Sequence, residues 1–125
     1  MSDEFDIAEI RGIRALLQGY EARCDQVLDA IKEKPLSAHE LSRAQDLYRN
    51  LKTELKHEAA QLQKRWDTMS RAEQCFSDPA IRKAAIALKP ATNSNPSSSN
   101  WIGALLDARG EFSYYLLNLN RALSG

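Results

Sequence analysis

The sequence predicts an all-α protein, an up-down helical bundle built on a long antiparallel helical hairpin and completed by a short helix and a C-terminal helix. Three observations carry this prediction. Ile10, Ile13, Leu17, Tyr20, Cys24, Val27 and Ile31 follow one another at steps of 3, 4, 3, 4, 3 and 4 residues, which lays them on one stripe of a helix. Leu41, Ala44, Tyr48, Leu51, Leu55, Ala59, Leu62, Trp66 and Met69 form a second such stripe. Between the two stripes stand Pro35 and a Ser37-x-x-Glu40 pair, a stop followed at once by a start. No stretch alternates apolar and polar residues as a half-buried strand would.

The first helix is expected over about residues 3–33. Ser2 or Asp3 serves as its cap, and Asp3, Glu4 and Asp6 suit the positive end of its dipole. Lys32 and Lys34 suit the other end, and Pro35 stops it. Gly12 and Gly19 lie seven residues apart on one face, which either admits a close helix neighbour or points to solvent. In the second helix, Ser37 and Glu40 satisfy each other's free backbone N–H groups, with Leu36 and Leu41 as an apolar staple across the cap. The link is about four residues long, so the two helices must run antiparallel. The second helix is expected from residue 38 to about Cys75. A break near residues 68–70 is the alternative, because Ser70-x-x-Glu73 repeats the capping pattern.

Ser77-Asp78-Pro79 reads as a restart, with Asp78 as cap and Pro79 in first helical position. The resulting short helix, residues 79–88, carries Ile81, Ala84 or Ala85, and Leu88 on its stripe. Residues 89–100 contain no large apolar side chain and read as a flexible connector. The last helix, residues 101–123, is capped by Ser99 or Asn100. Its seam is Ile102, Leu105, Phe112, Leu116, Leu119 and Leu123, interrupted by Arg109 and widened by Leu106, Tyr115 and Leu117. A helix apolar over so much of its circumference requires two neighbours. The whole chain, residues 1–125, is read as one domain.

Composition narrows the function classes. With 43% apolar and 27% charged residues and zero net charge, the chain is ordinary globular protein. No apolar run approaches the about 20 residues that a bilayer requires, so no membrane partner is expected. The acidic N-terminus lacks a secretory signal pattern, and the expected location is cytoplasmic. Charge is uneven: residues 1–40 hold nine acids and five bases, and residues 41–89 hold six acids and ten bases. Glu21, Asp25 and Asp29 form an acidic ladder on the first helix, and Arg49, Lys52 and Lys56 a basic ladder on the second. The two ladders are expected either to pair with each other across the hairpin or to be plainly solvated.

No chemistry-bearing motif accompanies the helices. Glu54-x-x-His57 has the spacing of half a di-iron carboxylate site, but His39 is the only other histidine. His57-Glu58-Ala59-Ala60-Gln61 carries Gln61 where a zinc protease needs its second histidine. There is no Gly-rich phosphate loop, and neither cysteine has a patterned histidine. The sequence thus predicts no enzyme, no cofactor and no metal. The expected function is a protein-interaction module, an adaptor or a secretion-chaperone-like helical bundle. It would bind a protein partner, or a second copy in a homodimer, through Leu106, Tyr114, Leu117 and Trp101. Two alternatives stand beside it. One is a nucleic-acid-associated protein using Arg49, Lys52, Lys56, Lys64 and Arg65, against which the interleaved Glu54 and Glu58 argue. The other is a small-ligand pocket among Trp101, Phe112, Tyr114 and Tyr115.

Overall fold

The computed structural model describes residues 6–31, 37–88 and 99–124, with the side chains of Ser99 and Asn100 excluded. Over these residues the chain forms α1 (Ile7–Ala30), α2 (Ala38–Lys64), α3 (Asp78–Ala87) and α4 (Ser99–Ser124), and no strand. A 3-10 turn, Trp66–Thr68, and a π turn, Glu73–Ser77, lie between α2 and α3. Consecutive helices are neighbours, and α4 closes the ring by packing along α1. The pairing of α4 on α1 is antiparallel: Arg14 meets Asn120, Glu21 meets Ser113 and Asp25 meets Arg109. This is the up-down bundle that the stripes predict.

The stripes form its core. Every member of the first stripe is buried, and from the second Ala44, Tyr48, Leu51, Leu55, Leu62 and Met69 are buried too. Leu105, Phe112, Leu116 and Leu119 of α4 close over them. Each such large side chain taken from water contributes about 1.5–3 kcal/mol. Two ring contacts tie α4 into place: Tyr20 stacks on Phe112 at 5.5 Å, and Tyr48 meets Trp101 edge-on at 5.1 Å.

Local capping follows the sequence at one place and departs from it at others. Ser37 Oγ accepts from the Glu40 N–H and Glu40 Oε1 accepts from the Ser37 N–H, both at 3.1 Å, completing the capping box. These bonds hold the Glu40 carboxyl below its ordinary value. α1 is capped by Asp6, whose carboxylate accepts from the Ala8 N–H at 2.9 Å, rather than by Ser2 or Asp3. Residues 1–5, the Pro35 stop, the Leu36 half of the staple and positions 89–98 of the connector lie outside the described residues. Ser99 and Asn100 are already helical instead of capping α4 from outside.

The second helix ends earlier than its stripe. α2 stops at Lys64, and Trp66, expected on the seam, is 40% exposed. The competing Ser70-x-x-Glu73 signal prevails. Ser70 Oγ accepts from the Glu73 N–H at 3.2 Å, and Glu73 Oε1 accepts from the Ser70 N–H at 3.4 Å. The other Glu73 oxygen accepts from Arg65 at 2.7 Å, and the Trp66 carbonyl accepts from the Gln74 amide at 3.0 Å. The corner is therefore fastened on both sides. The Arg65 hydrogen bond is the main reason the Glu73 carboxyl sits below its ordinary value.

Asp78 is not a cap. Ser77 (φ −70°, ψ −45°) and Asp78 (φ −59°, ψ −53°) are already helical, continuing from the π turn. A proline inside an α-helix lacks a donor and collides with the carbonyl four residues back. The wide turn before Pro79, in which the Asp78 N–H reaches the Glu73 carbonyl, relieves that conflict. Asp78 is left 2% exposed, its carboxylate paired with Arg82 one turn on.

The charge ladders also pair differently. Glu21 and Asp25 turn to α4, where Ser113 and Arg109 meet them, while Arg49 bonds Asp46 on its own helix. Arg23 of α1 and Glu54 of α2 form an ion pair of the opposite sense to the ladders. Arg109, which interrupts the α4 seam, thus has its reason on α1.

Candidate functional site

Helical geometry gives α4 two faces. Leu105, Phe112 and Leu119 look inward, and Leu106, Gly110, Tyr114 and Leu117 recur at steps of four, four and three on the opposite side. Leu106, Tyr114 and Leu117 are 52%, 57% and 51% exposed. Ile86 of α3 is 75% exposed and stands across from them. Between the two helices runs an open groove of about 710 Å³, with Ile86, Ala87, Leu106 and Tyr114 on its walls. A side-chain carbon at Gly110 would meet nothing within 4 Å, so the groove is open over that residue.

Three charged groups line it, Lys83, Asp107 and Glu111. The Lys83 ammonium donates to the Tyr115 hydroxyl at 3.0 Å and lies 5.5 Å from the centre of that ring. That hydrogen bond is the leading cause that raises Lys83 above its ordinary value, and the Glu111 charge adds to it. Asp107 and Glu111 form no hydrogen bond or ion pair among the described residues. The groove is apolar in its walls and carries two carboxylates against one ammonium.

Leu106 and Tyr114 belong to this groove, and Leu117 lies one turn further along the same face of α4. Trp101 does not belong. It is 1% exposed and held against Tyr48, because the first turns of α4 already face the core. Ile86 is a residue that the sequence did not single out. It lies five positions after Ile81, off the α3 stripe, and only the approach of α4 gives it meaning.

Of the bases named for a polyanion, Arg49, Lys52 and Lys56 share a face of α2, whereas Lys64 and Arg65 stand at its C-terminal end. Arg49 is bonded to Asp46 and Arg65 to Glu73. Lys52 and Lys56 stand one turn apart, and partial burial, then the Lys56 charge, lowers the Lys52 ammonium below its ordinary value. Lys64 lies two turns further along α2, about 12 Å from Lys56 at 1.5 Å per residue. The aromatic pocket is likewise dispersed. Trp101 and Phe112 are core residues, Tyr115 is nearly buried beneath Lys83, and Tyr114 alone faces the groove.

Among the described residues no group of three His, Cys, Asp or Glu side chains is placed to hold a metal ion. Glu54 is engaged by Arg23. Cys24 is fully buried, and its thiol is pushed up to about 12, chiefly by burial, so it is not a thiolate at neutral pH. Cys75 is exposed. No helix among the described residues is long and apolar enough to cross a membrane. Comparison with protein-family models, with curated proteins and with solved structures finds no match to this chain.

Proposed function

We propose that this chain is a non-enzymatic protein-interaction module, receiving its partner in the groove between α3 and α4. The observation that supports this reading is the convergence of Ile86, Leu106 and Tyr114, each more than half exposed, on one groove, with Leu117 beside it. Isolated surface leucines are common, but an apolar cluster around a concavity is what binding surfaces present. Covering it recovers about 25 cal/mol for each Å² of apolar surface, and Leu106, Tyr114 and Leu117 supply anchors on one rigid helix.

The test is the pair Leu106→Glu and Leu117→Glu in one chain. Both side chains are solvent-facing, so helical content and melting temperature should stay near those of the native chain. Proteins that bind the native chain should be lost by the variant, and hydrogen exchange in the complex should slow at residues 103–117. Equal recovery of the same partners by both chains would refute the reading.

A further inference from the structure

We propose that the occupant of the α3–α4 groove is an amphipathic helical segment bearing Lys or Arg beside its apolar stripe, an inference that rests on reading the groove as a partner site. Its shape follows from α4. Leu106 to Leu117 spans about 16 Å at 1.5 Å per residue, so a segment of about three turns with apolar side chains at i, i+4 and i+7 matches the stripe. Gly110, with open space above it, lets a second helix come close at the middle of that span.

Its charge follows from an excess of carboxylate in the groove. Lys83 donates its hydrogen bond to Tyr115 and is favoured by the nearby Glu111 charge, so two carboxylates, Asp107 and Glu111, stand against a single ammonium on the groove lining. A cationic flank is attracted to those carboxylates, and an acidic segment or a nucleic acid is repelled. A second copy of this chain laid groove to groove would bring another Asp107 and Glu111 against the first pair. That repulsion disfavours the homodimer that the apolar stripe alone suggests.

The probes are two fluorescein-labelled synthetic helices of fourteen residues with the same leucine stripe, one flanked by lysines and one by glutamates. Each is titrated into the full chain and followed by anisotropy. The lysine helix should bind about tenfold more tightly than the glutamate helix, and added salt should reduce that preference. Asp107→Lys with Glu111→Lys should reverse the preference without changing the circular dichroism. Equal binding of both helices, binding of neither, or a preference that survives the charge reversal would each overturn the proposal. Lysine-helix binding that persists in the Leu106→Glu, Leu117→Glu chain would instead refute the groove itself as the site. Sedimentation equilibrium supplies the remaining outcome. A dimer of the native chain, lost in that leucine variant, would overturn the basic occupant while leaving the groove as a protein-binding surface.

Discussion

Replacing Gly12 and Gly19 by alanine should make this protein more stable. Both sit in the interior of α1, on its exposed side, and a Cβ built on either meets nothing within 4 Å. Neither has a backbone conformation that an L side chain avoids. Glycine inside a helix is about 0.8–1 kcal/mol less favourable than alanine, largely because the unfolded chain loses less freedom with a Cβ present. The two sites are two turns apart and share no buried neighbour, so their effects should add to about 1.5–2 kcal/mol. At about 2.1 cal/mol/K per residue, a chain of 125 residues shifts its melting temperature by about 4 °C per kcal/mol. The double variant should therefore melt about 6–8 °C higher by calorimetry, with an unchanged urea m-value. An unmoved or lower melting temperature would refute the reasoning, and would mean that this face of α1 closes on another surface in the folded protein. Gly110→Ala separates stability from binding. It should raise the melting temperature by a similar increment per site, yet weaken the lysine-flanked helix a few-fold by placing a methyl in the groove.

Ser37→Ala should lower stability by about 1 kcal/mol, about 4 °C in a thermal melt, because Ser37 Oγ satisfies the Glu40 N–H at the start of α2. One thiol per chain should react with a thiol reagent such as DTNB in the native protein at pH 8, and both in denaturant, since Cys75 is exposed and Cys24 is buried. The Cys24 pKa is raised on folding from 9.0 to about 12, and that of Tyr20 from 10.0 to about 12, with burial the leading cause of each. Raised values stabilise the fold only while the unfolded groups also keep their protons. Stability measured by urea titration should accordingly be full below pH 9 and fall as the pH climbs towards 12. Glu73 has the opposite sign: Arg65 lowers its pKa, so its contribution is present above its ordinary 4.5 and is lost as the pH falls below that value. Glu73→Gln should flatten that acid limb.

The core was legible because helical periodicity and capping are written in neighbouring residues. The first stripe is buried throughout, and the Ser37–Glu40 box forms as read. Misreadings arise where a local signal has two structural meanings. Met69 is buried as the second stripe predicts, but from beyond the corner at Arg65, since a residue can join the core without continuing the helix. Pro79 after Ser77-Asp78 marks a helix start in most chains. Here the Ser70–Glu73 cap had already begun the helix, and a π turn absorbed the proline. Pairing over long sequence distances was not legible at all. The acidic ladder read as paired with the nearest basic one or as solvated, while the partners of Asp25 and Glu21, Arg109 and Ser113, arrive with α4 after the ring closes.

The same closure explains what α4 presents outward. Arg109 and Lys83, the cations on the two flanks where α4 meets α1 and α3, are drawn to Asp25 and Tyr115 and help hold the helix in place. Asp107 and Glu111 line the groove towards α3 together with Lys83, whose ammonium donates to Tyr115 and is favoured by the Glu111 charge. A bundle selected for stability alone would place a polar side chain at Leu106, Tyr114 or Ile86, since each of these exposed positions tolerates one. The groove keeps apolar side chains there instead. Under the proposal above, those walls and the excess of carboxylate over ammonium are what an apolar stripe flanked by positive charge would cover.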